Sequence, residues 1–461
     1  MTTARVATAL LLALTAAVPL GAQAPTPTSL TVYNDGRVLM RRSVPVKLPK
    51  GSSTQRVVLG ALDPATIFSL DSAVTITGLT YDGAVDEGSV LRRSVGRRVV
   101  FRLPETNDTM SALVLGVDPL RLQLPDGRVS FSAPGAARYP ADVVVAEPAV
   151  TLGLESAKAL DQLRLGYFTT GAMWHASYQV LLGARRARVT GSAVLDSRSL
   201  RVDDAAVQLL AGSVGSASEP VPPPVPLQAR AAMADEARME KNFASEQRVG
   251  EFHLYSLPGR LSLQPGLTTT VALFEPAEVE YEREYVVHGE VPWWGFLPQQ
   301  GEETEAPVEV AYTLKRPRKT ELGDQPLPAG SVRLYQPDSA GRAQLVGEAA
   351  MDHTPAGEDL RLSAGTAFDL TARRVQTAYA TRRDSTRAGW RTLATADYRV
   401  TVRNATDTAV TVAVEEARAG EWSVLQSSVK PEKVSSTITR FRVRVPARGE
   451  SVLTYRVRVV W

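Results

Sequence analysis

The stretch FRVRV at residues 441–445 decides the fold class, because its apolar residues alternate strictly with arginine. Alternate residues of a β-strand point to opposite faces of a sheet, so this stretch reads as a strand with one buried face. The stretch VTVAV at residues 410–414 shows a similar two-residue period, and helical periodicity is nearly absent along the chain. Short runs rich in Val, Leu, Thr and Tyr recur between Gly, Pro, Asn and Asp. The sequence therefore predicts an all-β protein, built of antiparallel β-sandwich modules with at most one short helix.

A hairpin is predicted near the N-terminus. Residues 29–33 and 37–40 read as two strands, and Asn34, Asp35 and Gly36 lie between them. An Asp-Gly pair favours this kind of turn because it tolerates positive φ.

Composition predicts three modules after the first 24 residues. We expect an N-terminal β module at residues 25–150, a central β module at 151–370 and a C-terminal β-sandwich at 371–461. Residues 378–388, which are polar and rich in arginine, are expected to be flexible.

The central module is predicted to contain a Pro-rich mobile insertion at residues 213–249. Its run EPVPPPVP at residues 219–226 cannot support a sheet ladder, because proline has no backbone N–H. Residues 228–243 are rich in Ala and Glu and could form a lone helix. The insertion is therefore expected to be disordered or helical.

The first 24 residues have the composition of a secretory signal peptide. Arg5 is their only charge, an apolar run follows it, and small residues end the segment. The apolar run is shorter than the ~20 residues that cross a bilayer, so cleavage is favoured over anchoring. Cleavage is expected after Ala22 or Ala24, which leaves an exported protein of the periplasm or cell surface with no transmembrane helix.

Charge is unevenly distributed. The formal net charge is only +3, but residues 371–461 carry 17 Arg and Lys against 8 Asp and Glu, a net of +9. Residues 25–370 have a net charge of −7. We therefore expect the C-terminal region, rather than the acidic remainder, to make any contact with an anionic partner.

No enzyme mechanism is indicated. The chain has no cysteine, which removes disulfides, thiolate metal sites and Cys nucleophiles. Its four histidines form no close ligand pair, and no nucleophile elbow or phosphate-binding loop occurs. We expect no metal site and no cofactor. The alternative is a hydrolase whose site is assembled from dispersed residues around His353 or His175, since Asp352 next to His353 could tune a general base. The turn-forming residues 354–357 favour a plain loop there.

Two groups of residues are candidates for binding. Trp293, Trp294 and Phe296 lie in a loop bounded by Pro and Gly, and could stack on a sugar ring, anchor a partner or cap the core. The second group contains Arg442 and Arg444, with Arg440 before them, and then Arg456 and Arg458, all spaced by two residues. We expect these arginines to form a ladder on one sheet face, which could attract an anionic glycan or lipid head group. The other interpretation is a solvated face paired with Glu415 and Glu416.

The last strand suggests a further alternative. Leu453, Tyr455, Val457, Val459 and Trp461 form an alternating apolar stripe that ends in an aromatic residue. This pattern resembles the terminal strand of an outer-membrane β-barrel. Earlier strands are irregular in length, which favours sandwich modules instead.

Several blocks resemble a bacterial domain-of-unknown-function family that forms the C-terminal half of mucoidy-inhibitor-like proteins. The blocks are LGYFTTGAMWHASYQVLL (165–182), LDSRSLRVDDAAVQLLAG (195–212), HLYSLPGRLSLQPG (253–266), LPAGSVRLYQPDSAGRAQLVGE (327–348), HTPAGEDLRLSAGTAFDLTARR (353–374), VTVRNATDTAVTVAVEE (400–416) and GEWSVLQSS (420–428). Longer members carry a coiled-coil segment before the shared blocks, and this chain has none. The resemblance implies a link to exopolysaccharide and the cell envelope, and it implies no activity. Trp174, Gly212 and Phe368 match the pattern and are interpreted as core or turn positions.

Together these features predict a non-enzymatic module of the cell envelope that binds a glycan or a protein partner and no nucleic acid.

Overall fold

The prediction of an all-β protein is confirmed. The computed structural model describes residues 28–104, 108–212, 214–215, 243–289, 301, 303–386, 389–418 and 420–460. Strands account for 65% of the structure and helix for 3%. Within the described residues there is one α-helix, which agrees with the prediction of at most one short helix but lies at residues 87–93, a place where no helix was predicted. The predicted signal peptide, the three aromatic residues from Trp293 to Phe296 and Trp461 lie outside the described residues.

Thirty strands and the helix α1 (Glu87–Arg93) make up the described chain. The strands are β1 (Ser29–Tyr33), β2 (Val38–Leu48), β3 (Gly51–Val58), β4 (Phe68–Ser69), β5 (Val74–Asp82), β6 (Arg98–Arg102), β7 (Thr109–Val117), β8 (Leu120–Gln123), β9 (Val129–Ser130), β10 (Ala136–Arg138), β11 (Ala149–Ser156), β12 (Leu160–Thr169), β13 (Ala172–Leu182), β14 (Arg186–Ser197), β15 (Val202–Ala211), β16 (Ser245–Val249), β17 (Phe252–Ser256), β18 (Leu261–Leu263), β19 (Leu267–Ala272), β20 (Ala277–Gly289), β21 (Glu303–Leu314), β22 (Gly330–Pro337), β23 (Ala343–Met351), β24 (Leu360–Thr386), β25 (Gly389–Asn404), β26 (Val410–Ala417), β27 (Glu421–Ser427), β28 (Pro431–Lys433), β29 (Ile438–Val445) and β30 (Gly449–Val460). Short 3₁₀ turns lie at Pro64–Thr66 and Ala141–Val143.

The chain divides into two compact units. The first unit contains residues 40–167, with a three-stranded sheet in the order β3-β11-β5 and a five-stranded sheet in the order β10-β6-β7-β8-β9. The second sheet packs a small apolar core that includes Val99, Phe101 and Leu122. The helix α1 begins at Asp86, whose carboxylate accepts a hydrogen bond from the Ser89 backbone N–H at 2.9 Å and satisfies one free donor of the first turn.

The second unit contains residues 29–39 and 168–461. Its N-terminal strand β1 pairs in parallel with β15, and the turn after β1 is the predicted one. The Tyr33 N–H donates to the Arg37 carbonyl at 3.0 Å, and Gly36 has φ of +87°, a conformation that glycine adopts freely. Trp174 of β13 is buried, as interpreted from the sequence, and its indole N–H donates to the Leu210 carbonyl at 3.3 Å.

A sandwich forms the C-terminal part of the second unit. One layer has the strand order β21-β24-β25-β30-β27, and the other contains β20, β26, β29 and β28. β20 joins the layers, because it pairs with β21 and also with β26. The shared core includes Val287, Ala306 and Val308, which precede residue 371, together with residues of β24 to β30. The sandwich therefore draws two of its strands, β20 and β21, from the region before residue 371.

A charged cluster is buried in this sandwich. Glu416 is fully buried between two arginines: Arg374 binds it through Nε and Nη2 at 3.1 Å each, and Arg418 binds it at 2.9 Å. The Tyr455 hydroxyl donates to the same carboxylate. The Arg374 guanidinium also lies 3.9 Å from the centre of the Tyr398 ring. Charges buried in this way need such partners, because removal from water is costly.

Two stretches that were expected to be flexible contain strands. Residues 245–249, at the end of the predicted insertion, form β16, and residues 216–242 lie outside the described residues. The arginine-rich region from residue 378 was expected to be flexible. That expectation is wrong for residues 378–386, which form part of a strand. β24 continues to Thr386 and pairs with β25 in a long hairpin.

Candidate functional site: an arginine-bearing sheet face

The predicted arginines of β29 and β30 point away from the sandwich core. Arg442 and Arg444 on β29 are exposed, and so are Arg456 and Arg458 on β30. The residues between them, such as Phe441, are buried, so both strands alternate as the sequence predicts.

The expectation of one continuous ladder is wrong. Phe441 of β29 and Tyr455 of β30 face each other across the core, with their ring centres 5.0 Å apart and the rings stacked. Because alternate residues of a strand point to opposite sides, the arginines of the two strands lie on opposite outer faces of the sandwich.

The outer face that carries the β29 arginines is largely neutralised by acids. Arg440 binds Glu415 at 2.6 Å, and Arg442 binds Glu432 at 3.1 Å. Glu284 of β20 lies 3.9 Å from both guanidinium groups. The interpretation of a solvated face paired with Glu415 therefore describes this side of the molecule. Glu416 does not lie there, because it is buried in the core.

The opposite side is more cationic, and we call it the β25–β30 face. It consists of alternate outward residues of the two central strands: Thr395, Asp397, Arg399, Thr401 and Arg403 of β25, and Glu450, Val452, Thr454, Arg456 and Arg458 of β30. Four arginines and two acids give it a formal net charge of +2.

An ion pair lies at the centre of this face. Arg456 donates to both carboxylate oxygens of Asp397, at 2.5 and 2.7 Å. These hydrogen bonds lower the pKa of Asp397 and raise the pKa of Arg456, so the pair stays ionised over a wide pH range. Asp397 and Arg456 are therefore both charged, and their opposite charges cancel at the centre of the face.

Arg399, Arg403 and Arg458 carry the remaining positive charge of this face, and Glu450, which lies opposite Arg403 in the pairing register, offsets one of the three charges. All three are exposed, and none forms an ion pair within 4 Å with any described residue. Arg399 and Arg403 were not predicted from the sequence as part of this face. The two-residue alternation that identified the other arginines is also present here, because in YRVTVR at residues 398–403 apolar residues alternate with Arg or Thr.

A polar depression of about 300 Å³ is lined in part by Arg399 and Arg456. Apart from Asp397, Arg399 and Arg456, the exposed side chains of its lining are hydroxyls and an amide, from Thr377, Gln426, Ser428 and Thr454. The strand edge there is held by Ser428, whose hydroxyl accepts the Thr454 N–H at 3.0 Å and whose own N–H donates to the Thr454 carbonyl at 2.8 Å. Such groups can donate to and accept from the hydroxyls of a glycan.

The residues around His353 form a structural loop. The Nδ1 atom of His353 accepts the Ala329 N–H at 3.1 Å, which leaves the proton of the neutral ring on Nε2. Burial lowers the pKa of His353, although the charge of Asp352 acts against this. His175 is exposed on β13, opposite Val194. In the part of the chain that the structure describes, no group of three His, Asp or Glu side chains could hold a metal ion.

Arg316 holds this loop in place. The side chain is fully buried, and its guanidinium donates to the carbonyls of Leu322 at 3.2 Å, Glu358 at 3.1 Å and Pro355 at 3.4 Å, and also to that of Gln325. Burial lowers the pKa of Arg316.

The remaining interpreted positions differ in outcome. Gly212 has φ of +115° and fits a turn. Phe368 was interpreted as a core or turn position, but it lies in β24 and is 95% exposed. The binding role of Trp293, Trp294 and Phe296 stays a prediction.

Among the described residues, no helix has the length and the apolar composition that a membrane span requires. No protein-family model matches the chain, and no curated protein matches its sequence.

Proposed function

We propose that the protein is a non-enzymatic module of the cell envelope that binds an acidic glycan on the β25–β30 face. The observation that carries the proposal is the set of three exposed arginines without an ion-pair partner among the described residues, one of which, Arg399, lines a polar depression. Unpaired surface charge of one sign attracts and steers an oppositely charged ligand. Hydroxyl and amide side chains beside that charge suit a ligand rich in hydroxyl groups.

Two features of the sequence support this assignment. The predicted signal peptide would bring the chain to the compartment where envelope glycans occur, and the resemblance to mucoidy-inhibitor-like proteins implies a link to exopolysaccharide. Export is tested by the intact mass of the protein isolated from its native envelope. We expect loss of the residues up to Ala22 or Ala24, and a retained Met1 would overturn export.

The binding test uses the whole protein and a polyuronate, with a neutral glucan for comparison. The whole chain is required because β20 and β21 contribute to the sandwich that carries the face. We expect the polyuronate to bind and its affinity to fall steeply with added salt, since the Debye length shortens from ~10 Å at 0.1 M to ~3 Å at 1 M. Equal binding of the neutral glucan, or no effect of salt, would contradict the proposal.

A matched pair of variants assigns the binding to one face. Arg399→Gln with Arg458→Gln removes two charges from the β25–β30 face, and Arg442→Gln with Arg444→Gln removes two from the opposite face. Two exposed ion pairs of up to about 1 kcal/mol each correspond to a loss of affinity of roughly 5- to 30-fold. We expect this loss in the first variant and little change in the second. An equal loss in both would mean that net charge, and not this face, governs binding.

A further inference from the structure

We infer that the ligand of the β25–β30 face is a linear polyanion that lies along the strands and is held at three separate points. The inference rests on the proposed function and deepens it. It follows from the places that β25 and β30 give to Arg403, Arg399 and Arg458.

The three arginines are evenly spaced along the strand direction. Arg403 and Arg399 are four residues apart on β25, which corresponds to about 13 Å at ~3.3 Å per residue. The pairing register places Arg399 opposite Thr454 of β30, and Arg458 lies four residues beyond Thr454. A second interval of about 13 Å follows, so the row is about 26 Å long and crosses between two strands ~4.8 Å apart.

This spacing does not suit a single small anion. Side chains stand roughly perpendicular to a sheet, so outward arginines on one face keep approximately the separation of their backbone positions. A phosphate or acetate ion would therefore meet one of the three guanidinium groups at a time. An extended chain with repeated negative charges can meet all three at once, and the linked contacts then act at a high effective concentration.

The groups between the arginines favour a glycan over a nucleic acid. The neutral Asp397–Arg456 pair lies between Arg399 and Arg458, and the polar depression adjoins it. Single-stranded nucleic acids are held largely by aromatic side chains that stack on bases. The aromatic residues of these two strands that flank the pair, Tyr398 and Tyr455, are buried in the core. The face thus offers charge and hydrogen-bonding groups in alternation, which fits acidic sugars separated by neutral hydroxyl-bearing segments.

The first test measures the affinity of the whole protein for a uronic acid monomer, for short oligouronides and for the polymer, each at equal concentration of carboxylate. We expect weak binding of the monomer and a steep rise in affinity until the oligomer spans about 26 Å, as the row of arginines requires. If the monomer binds as tightly per carboxylate as the long oligomer, the inference fails while the proposed function stands. If no acidic glycan binds, the proposed function fails.

The second test uses the salt dependence of polymer binding in three single variants, Arg399→Gln, Arg403→Gln and Arg458→Gln. Each cationic contact with a polyanion releases counterions, so the slope of log affinity against log salt should decrease by about one for each arginine removed. Arg444→Gln is the control, because it removes an exposed arginine from the opposite face and should leave the slope unchanged. A single variant that abolishes the whole slope would overturn the three-point arrangement. Tighter binding of a single-stranded polynucleotide of equal charge would overturn the choice of a glycan.

Discussion

Arg316 holds a loop in place although no carboxylate among the described residues pairs with its guanidinium. Its guanidinium donates to four backbone carbonyls, from residues 322, 325, 355 and 358, and its own backbone N–H donates to the Asp359 carboxylate at 3.0 Å. A buried carbonyl that loses its donor keeps the cost of leaving water. The side chain therefore joins the segment after β21 to the segment before β24.

We expect Arg316→Met to lower the free energy of unfolding by about 3–5 kcal/mol, because several buried carbonyls lose a charged donor together. Arg318→Met is the matched control: Arg318 is exposed two residues away, and its replacement should change stability by less than about 0.5 kcal/mol. Urea denaturation of the three proteins measures the difference. Equal midpoints for the two variants would show that the carbonyl contacts contribute little.

The sequence predicted side-chain direction well where strands are regular and poorly where they are not. Arg442, Arg444, Arg456 and Arg458 alternate with buried residues, so a period of two was sufficient. The interpretation of Phe368 as a core or turn position is wrong because the register of β24 against β21 shifts at two places near it. A bulge adds a residue and re-aims the side chains that follow, and nothing in the alternation pattern marks it in advance.

At the scale of elements, the sandwich depends on strands that are distant in sequence. Val287 of β20, and Ala306 and Val308 of β21, are buried with residues of β24 to β30 in one core. β20 also provides the pairing partner of β26. Without β20 and β21, one outer edge of each layer and part of the core would be exposed.

We therefore expect the fragment of residues 371–461 not to fold on its own. It keeps the basic charge of the C-terminal region but lacks two strands of the sandwich and the first part of β24, and its buried apolar faces would meet water. Circular dichroism during urea titration should show no cooperative transition for the fragment, whereas the whole protein should show one. A cooperative transition in the fragment would mean that β20 and β21 are dispensable.

Strand pairing was the part of the fold that the sequence did not supply. The residues 410–414 and 441–445 were recognised as strands, but a two-residue period says only which side of a strand is buried. Which strands lie in one layer depends on contacts across long stretches of chain. For this reason the two sets of arginines were expected on one face and are found on two, and Arg399 and Arg403 were not linked with Arg458.

For the whole molecule, buried tyrosines are expected to lower stability at alkaline pH. Burial raises the pKa of Tyr178, Tyr255 and Tyr455 above the ordinary value. In the unfolded chain these hydroxyls lose their protons near pH 10. Between that pH and the higher pKa of the folded state, the folded protein binds more protons than the unfolded chain, so stability falls as pH rises.

We expect the free energy of unfolding to change little between pH 7 and about pH 9.5, and to fall progressively above about pH 10. Denaturant titrations across this range measure the curve, and tyrosinate absorbance reports when the hydroxyls ionise. Tyr455→Phe should be less stable at neutral pH, because it loses its hydrogen bond to Glu416, and should show a shallower alkaline decline. An alkaline decline as steep as in the unmodified protein would contradict the role of Tyr455.

The parallel pairing of β1 with β15 has a consequence for the order of events during synthesis. Thr31 and Gln208, whose side chains meet across this pair, are separated by 177 residues. At about 5–20 residues per second, β1 is synthesised roughly 10–35 s before its partner β15. For that interval its backbone donors and acceptors have no β15 to pair with, and the unit cannot close. If the chain is exported as proposed, such a delay would help to keep it unfolded until it has crossed the membrane, because β1 is completed only by residues made much later.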